Sequence, residues 1–168
     1  DIGNTNYKIA VFDKNQMLLY KSFLEIGKHT INNIFSQYPV STVCISNSGP
    51  SNNILLEHLQ SKKIKIILLS SNLFFPLEIV YKTPETLGSD RIALAVGSTQ
   101  YEGNKLIIDL GTCITYELVI GGKYLGGQIS LGVNMRLKAL NEQTSALPKL
   151  DFVMPSGFIG QTTNESIL

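Results

Sequence analysis

The sequence predicts an α/β protein of two related lobes, in which mixed sheets are flanked by helices. Three observations predict this fold. Short apolar strands alternate with helical segments in the first half of the chain. A hairpin pattern occurs in each half. A weak internal repeat also places Asp, Gly and Thr in a tight turn before each hairpin, DIGNT in the first half and DLGT in the second, so we expect two lobes to face each other across a cleft.

The strands of the first half follow from alternation and from short apolar runs. Residues 7–12 and 17–23 alternate, and the polar residues 13–15 between them are typical of a hairpin turn. Residues 40–46 and 64–69 are short apolar runs of the kind found in buried strands. Because a helical segment separates these last two runs, we expect them to pair in parallel.

Two helices are predicted between these strands. The first covers residues 30–38, with Thr30 as its N-cap, and the second covers residues 51–60. The side chains expected to face the core are Ile31, Ile34 and Phe35 in the first helix and Ile54, Leu55 and Leu59 in the second.

The second half repeats the hairpin after a further helix. Its predicted elements are a helix over 90–101, a strand over 105–110, a hairpin of 114–120 and 123–129 that turns at Gly121 and Gly122, and a helix over 133–140. We place the lobe boundary near Gly103 and Asn104. Residues 1–103 then form an N-terminal lobe and residues 104–168 an incomplete C-terminal lobe.

Composition excludes several classes of function. A net charge of +1 gives no reason to expect nucleic acid or an anionic membrane as a partner. No apolar run approaches the roughly 20 residues of a membrane helix, and no signal peptide is visible. Cys44 and Cys113 lie in apolar runs without metal-ligand spacing, so we expect reduced core residues of a cytoplasmic protein, with a disulfide as the alternative.

The two ends of the sequence indicate a fragment. The chain begins at Asp1 without an initiator Met, and it stops at Leu168 in what resembles the start of a helix. We therefore expect a chain that lacks parts of its natural ends.

The turn DIGNT at residues 1–5 has the residue types that bind phosphate. Gly3 allows a close backbone approach, Asn4 and Thr5 add donors, and Asp1 can hold Mg²⁺ through its waters. Lys8 could neutralise phosphate charge. A plain β-turn explains the same residues, and for this motif alone it is the better interpretation.

The second turn carries the same chemistry in the other half. Asp109, Gly111 and Thr112 match the first motif, and two such turns at corresponding places indicate a nucleotide held between lobes. Neither a GxxxxGK[ST] loop nor a GxGxxG after a strand occurs. The site therefore differs from a P-loop and from a dinucleotide-binding fold.

A third motif, GSDR, stands at the start of the helix predicted over 90–101. Asp90 can accept a proton from an attacking hydroxyl, and Arg91 can bind an anionic group bidentately. The alternative is an N-cap followed by a surface Arg. His29 and His58 have no ligand spacing, so no metal cluster is predicted.

The ordered motifs together resemble one family. They are DIGNTNYK, a tyrosine ahead of GSDRIALAVG, IIDLGTCITYELV, KYLGGQISLGV, ALNEQTSALPKL and IGQTTNESI. This order, over nearly the whole chain, is similar to type III pantothenate kinases. The resemblance implies two ribonuclease-H-like lobes of the actin-like ATPase fold and a homodimer. It also implies ATP-dependent phosphorylation of pantothenate to 4'-phosphopantothenate, the first step of coenzyme A biosynthesis, with Mg²⁺ and a monovalent cation, K⁺ or NH₄⁺.

The resemblance also assigns residues. It implies that Asp90 is the catalytic base and that Asp109 binds the monovalent cation. The ATP-binding positions that it implies are Asp1, Ile2, Gly3, Asn4, Thr5, Asn6, Tyr7, Lys8 and Thr112, and the substrate-binding positions are Tyr81, Gly88, Ser89, Asp90, Arg91 and Thr163.

Three positions depart from the family pattern. Ser89 stands where Ala is usual, Leu131 where Pro is usual, and Thr162 where Asn is usual. Three other functions compete with the kinase: a non-catalytic regulatory homologue that assists transcription, another small-molecule kinase of the superfamily such as a sugar kinase, and a chaperone-like or filament ATPase. Retention of Asp1, Asp90, Arg91 and Asp109 favours the kinase.

Overall fold

A computed structural model describes residues 1–49 and 53–168. The strands are β1 (Tyr7–Asp13), β2 (Gln16–Phe23), β3 (Thr42–Ile45), β4 (Lys65–Leu68), β5 (Glu78–Ile79), β6 (Lys105–Leu110), β7 (Cys113–Ile120) and β8 (Lys123–Leu131). The helices are α1 (Lys28–Gln37), α2 (Asn53–Gln60), α3 (Ser89–Gly97), α4 (Val133–Glu142) and α5 (Thr163–Ile167). Two 3-10 turns, Pro84–Thr86 and Ser98–Gln100, flank α3.

The first half contains two small sheets joined through Ile2. Strands β1 and β2 form an antiparallel hairpin, and β3 pairs with β4 in parallel, as predicted. Ile2 bridges both sheets, antiparallel to Tyr7 and parallel to Asn47. Its side chain is 4% exposed, and it packs in a core with Ile31, Ile45, Leu55 and Leu59. The residues around Ile2 are therefore fixed from both sides.

The second half is built on a four-stranded sheet of order β5-β8-β7-β6. Strands β6, β7 and β8 are antiparallel neighbours, and only β5 runs parallel to its neighbour β8. The β7–β8 hairpin turns at Gly121 and Gly122, whose φ values of +56° and +76° suit the two-residue turn that the glycines predict. Helix α3 packs on this sheet, with Ile92 and Ala95 in its core.

Several expectations need correction. Helix α1 begins at Lys28 with Gly27 as its N-cap, so Thr30 lies inside the helix and does not cap it. Ile54 is 65% exposed, because α2 buries Leu55 and Leu59 and packs Leu56 against the same core. Cys44 is exposed, since the alternation of β3 directs Ile45 into the core instead. The predicted start of α2 at residues 51 and 52 lies outside the described residues.

The core of the second sheet includes residues from before position 104. Leu77, Leu87, Ile92 and Ala95 pack with Val119 and Tyr124. The segment from Leu77 to Gly97 is thus part of the same packing unit as β6–β8. The boundary near Gly103 remains a prediction.

Candidate active site

The turn at residues 1–5 is held by backbone hydrogen bonds. The N–H of Gly3 donates to the Asn6 carbonyl at 3.1 Å, and the N–H of Lys8 donates to the Asp1 carbonyl at 2.9 Å. The amide of Asn4 donates to the Ser48 carbonyl at 3.1 Å, which ties the turn to the loop after β3. The side chain of Lys8 returns to the turn, with Nζ 3.7 Å from Asp1 Oδ2. The geometry fits the predicted phosphate turn.

The turn of the second half lies between β6 and β7. Asp109 is near the end of β6, and the N–H of Gly111 donates to the Cys113 carbonyl at 3.0 Å. Gly132, the N-cap of α4, packs against the same turn. A Cβ at this glycine would lie 2.5 Å from the Gly111 carbonyl oxygen and would overlap the carbonyl of Thr112. A glycine is therefore required for α4 to begin so close to the turn.

The two turns meet. The hydroxyl oxygens of Thr5 and Thr112 are 2.6 Å apart, a hydrogen bond between halves of the chain. Beside them lies an open cavity of about 800 Å³, whose lining includes the side chains of Asp1, Lys8, Asp90 and Asp109. Three carboxylates and one ammonium from three separate motifs thus line one cavity.

Asp90 occupies the first turn of α3, where the positive end of the helix dipole favours a carboxylate. Its Oδ1 accepts the N–H of Arg91 at 2.9 Å. Gly88 makes room for that carboxylate, because a Cβ there would lie 2.5 Å from Asp90 Oδ1. The carboxylate is half-buried at the cavity wall. A group in this position can accept a proton from a hydroxyl brought into the cavity.

Ser89 fastens the start of α3 to the end of β3. Its Oγ accepts the N–H of Asn47 at 2.8 Å and lies 3.1 Å from Ser46 Oγ. Ser89 is 7% exposed. Ser89, which stands where the family pattern has Ala, therefore adds a part-buried link between the start of α3 and the residues after β3.

Arg91 differs from its expected free, bidentate role. Its Nε donates to Glu117 Oε1 at 2.7 Å and its Nη2 donates to Glu117 Oε2 at 2.9 Å. Arg91 is 6% exposed and Glu117 is fully buried. The bidentate edge of the guanidinium is therefore occupied by a protein carboxylate, and a substrate anion can meet only its remaining donors.

Two tyrosines complete this buried cluster. The Tyr124 hydroxyl donates to Glu117 Oε2 at 2.6 Å, and Arg91 Cζ lies 5.7 Å from the centroid of the Tyr81 ring. Burial and the hydrogen bond with Glu117 raise the pKa of Tyr124 above its ordinary value. The hydrogen bond with Glu117 likewise holds the pKa of Arg91 above its ordinary value, so Arg91 stays a cation.

The sequence pattern did not single out Glu117 or Tyr124. The alternation of β7 could have found Glu117, because Thr115, Glu117 and Val119 share the buried face. A carboxylate on the inward face of an apolar strand needs a cationic partner. Arg91 is the cation of the GSDR motif, and it is that partner in the structure.

Thr163 lies apart from these groups. It begins α5 and is exposed, and it is not among the side chains that line the cavity. Its neighbour Thr162 caps the helix in a capping box with Glu165. The structure therefore brings Asp1, Lys8, Asp90 and Asp109 to one cavity and joins Thr5 to Thr112. Thr163 is outside the cavity lining, and so are the other predicted substrate-binding residues, Tyr81, Gly88, Ser89 and Arg91.

The donors around the cavity fit hard cations. Asp1 and Asp109 supply carboxylate oxygens, the ligands that Mg²⁺ prefers, and Mg²⁺ commonly binds through one or two carboxylates plus phosphate and water. Within residues 1–49 and 53–168, no group of three or more His, Cys, Asp or Glu side chains could hold a metal by itself. A cation here would thus need ligands from bound phosphate as well.

No described helix is long and apolar enough to cross a membrane.

Two touching turns of the phosphate-binding type beside a half-buried Asp define a candidate phosphotransferase site. The model of one family, type III pantothenate kinase, matches residues 1–168. Type III pantothenate kinases from Phocaeicola vulgatus and Christiangramia forsetii are 35% and 39% identical to the chain, over 99% and 100% of it and 70% and 71% of their own lengths. The chain belongs to the type III pantothenate kinase family.

Two more distant proteins are also similar to this chain. A type III pantothenate kinase from Aquifex aeolicus is 31% identical over the whole chain and 70% of its own length. A solved structure from Campylobacter jejuni, described as a Baf family transcriptional activator, matches with a TM-score of 0.58 at 24% identity. That match covers 99% of this chain and 69% of the other, and it supports the fold alone.

Proposed function

We propose that this chain transfers the terminal phosphate of ATP to the primary hydroxyl of pantothenate, giving 4'-phosphopantothenate and ADP. Family membership supports the substrate. The observation that best supports the chemistry is that Asp1, Lys8, Asp90 and Asp109 line one cavity. The two turns that contain Asp1 and Asp109 are also in direct contact, through Thr5 and Thr112. The reaction supplies the first intermediate of coenzyme A biosynthesis.

The phosphates of ATP lie along the two turns. Gly3 and Gly111 allow close backbone approach, Thr5 and Thr112 offer hydroxyls, and Lys8 neutralises charge. The remaining residues from Ile2 to Tyr7 shape the turn. Phosphoryl transfer depends mostly on positioning and charge neutralisation, which are the properties that such a pair of turns provides.

Asp90 accepts the proton of the pantothenate hydroxyl as its oxygen attacks the γ-phosphorus. The new O–P bond forms while the bond from that phosphorus to the bridging oxygen of ADP breaks, and ADP leaves with the electron pair. Gly88, Ser89 and Tyr81 shape the acceptor pocket, and Arg91 contributes charge from its edge away from Glu117. Thr163 would join this pocket only if a further part of the protein brought α5 toward it.

Mg²⁺ and a monovalent cation, K⁺ or NH₄⁺, complete the proposed site, and they supply positive charge that offsets the phosphate oxygens. Asp1 would hold Mg²⁺ through water, and Asp109 would hold the monovalent cation. Equal turnover in buffers containing only Na⁺ and in buffers containing K⁺ would argue against the monovalent site.

The finer architecture belongs to the same proposal. We assign two actin-like lobes, divided near Gly103, that close on the nucleotide, and a cytoplasmic homodimer. The carboxylates of Asp1, Asp90 and Asp109 and the sequence identity to type III pantothenate kinases favour an enzyme over the regulatory homologue. The other alternative, a sugar kinase, would phosphorylate a hexose and not pantothenate. Mass spectrometry of the acceptor after incubation with ATP tests the substrate. Phosphorylated pantothenate supports the proposal, and phosphorylated hexose with unchanged pantothenate would refute it.

A further inference from the structure

The buried cluster around Glu117 occupies an unusual place in the molecule. Glu117 lies on the central strand β7 at 0% exposure, and its partner Arg91 directly follows Asp90 in the chain. The two oxygens of Glu117 accept three hydrogen bonds, two from Arg91 and one from Tyr124. The donors come from two elements, Arg91 on α3 and Tyr124 on β8, and the acceptor Glu117 lies on β7.

The neighbouring glycines keep room for this carboxylate. Gly127 is the cross-strand partner of Glu117, and a Cβ there would lie 2.9 Å from Glu117 Oε2 and would overlap the Tyr116 carbonyl. At Gly126, whose φ is +105°, a Cβ would lie 3.4 Å from the Tyr81 ring. Gly127 is therefore required by the space beside Glu117, and Gly126 by its positive φ.

An ion pair is not required for stability at such a position. A buried pair seldom contributes more than apolar side chains of the same volume, because both charges lose their hydration. Its geometric consequence is more specific. A bidentate carboxylate fixes both the rotation and the position of a planar guanidinium. Arg91 is thereby held with its other edge directed away from Glu117, and the backbone N–H of Arg91 in turn donates to Asp90 Oδ1.

We propose that Glu117, supported by Tyr124, is a positioning residue for the acceptor substrate. It sets the guanidinium of Arg91 and, through it, the first turn of α3, which holds Asp90 at the wall of the cavity where pantothenate is proposed to bind. This inference rests on the proposed function. Glu117 itself is fully buried and is not in the cavity lining, so it would act through Arg91.

The test compares Glu117→Gln with Tyr124→Phe in steady-state kinetics. Glu117→Gln keeps the size of the side chain but removes its charge, and Tyr124→Phe removes one donor and keeps the ion pair. The matched control is Glu78→Gln, which breaks the exposed Lys123–Glu78 pair (2.9 Å) at the edge of the same sheet. All proteins are first compared by thermal unfolding, so that the folded fraction is known.

We expect Glu117→Gln to raise the KM for pantothenate about tenfold or more, because small misplacements of positioning groups are costly. The KM for ATP should stay within about twofold, since the turns do not contact Glu117. Tyr124→Phe should shift the KM for pantothenate in the same direction by less. Glu78→Gln should leave both KM values within about twofold.

A purely structural role gives a different result. Loss of folded protein lowers kcat and leaves both KM values unchanged, and that pattern in Glu117→Gln would overturn the proposal. If Glu117→Gln does not fold, an unchanged KM for pantothenate in Tyr124→Phe overturns it. Absence of pantothenate-dependent turnover in the wild-type protein would overturn the proposed function and this inference together.

A second measurement tests whether Glu117 affects pantothenate binding through Arg91. In an Arg91→Lys background the bidentate fork is already lost, so adding Glu117→Gln should change the KM for pantothenate by less than about twofold. Multiplication of the two single effects would mean that Glu117 acts independently of Arg91, which would contradict the positioning role.

Discussion

The hydroxyl oxygens of Thr5 and Thr112 lie 2.6 Å apart, although 107 positions separate them in the chain. Each belongs to one of the two Asp- and Gly-containing turns that recur in the halves of the sequence. Their hydrogen bond joins the turns directly, beside the cavity lined by Asp90 and Asp109. We infer that the two hydroxyls act together on the phosphates of ATP.

Replacement of Thr5 or Thr112 by Val should raise the KM for ATP about two- to tenfold, the equivalent of one net hydrogen bond. Because the hydroxyls are partners, the double variant should show less than the product of the single effects. Thr83→Val is the control, since its hydroxyl pairs with that of Thr86 at 2.8 Å in a turn that belongs to neither phosphate motif. Multiplicative single effects would show that the two hydroxyls act separately.

Gly132→Ala should distort the second turn. The new methyl group would overlap the Thr112 carbonyl, so α4 or the turn must shift, and we expect a higher KM for ATP and a lower unfolding temperature. Gly157→Ala is the control, because a Cβ there meets nothing within 4 Å and the residue is not in the cavity lining. It should be neutral or stabilising by up to about 1 kcal/mol. Equal behaviour of the two variants would contradict this steric account.

Ser89→Ala should lower the free energy of unfolding by about 1–3 kcal/mol, because the Asn47 N–H would lose its acceptor in a part-buried place. Urea denaturation measures the change. Ser36→Ala removes an exposed hydroxyl that donates to the Asn33 carbonyl, and it should change stability by less than about 0.5 kcal/mol. A Ser89→Ala protein as stable as the wild type would show that water replaces the lost contact.

Tyr124 should make the protein sensitive to alkali. Its pKa is raised in the folded state by burial and by the hydrogen bond with Glu117, whereas an unfolded tyrosine ionises near about pH 10. The stability that this shift contributes is therefore fully present below about pH 10 and is lost as the pH rises toward the folded pKa.

The wild-type protein should thus lose stability above about pH 10 more steeply than Tyr124→Phe, as measured by urea midpoints across the pH range. Tyr101→Phe, at a 65% exposed position, should keep the wild-type slope. Parallel curves for the wild type and Tyr124→Phe would mean that this hydroxyl keeps its ordinary pKa.

Much of the fold could be predicted from local sequence patterns. Alternation predicted both hairpins, and the paired glycines at positions 121 and 122 predicted the second turn, because their effects are local. Strand β5 has two residues, Glu78 and Ile79, too few to show a period. Ile54 and Cys44 were misplaced because an apolar residue in a helix or strand does not reveal which face meets the core.

The sequence predicted which motifs form the candidate site, but it did not predict which side chains of those motifs contact other parts of the protein. The Asp, Gly and Thr positions of each turn follow from the residue types that phosphate requires. The partner of Arg91 does not, because Glu117 is 26 residues away and reaches Arg91 only through the packing of α3 on β7. An Arg beside a candidate catalytic Asp suggests a substrate contact, whereas the structure shows a buried protein carboxylate on the bidentate edge of Arg91.

The most direct test of the kinase account is ADP release with ATP, Mg²⁺ and K⁺, with and without pantothenate, in the wild type and in Asp90→Asn. The account predicts pantothenate-dependent release in the wild type and a loss of about 10²–10⁴-fold in a folded Asp90→Asn protein. Asp13→Asn, at the exposed end of β1, should retain wild-type turnover. Near-normal turnover of Asp90→Asn would remove Asp90 from the role of base, and ADP release indifferent to pantothenate in the wild type would contradict the proposed reaction itself.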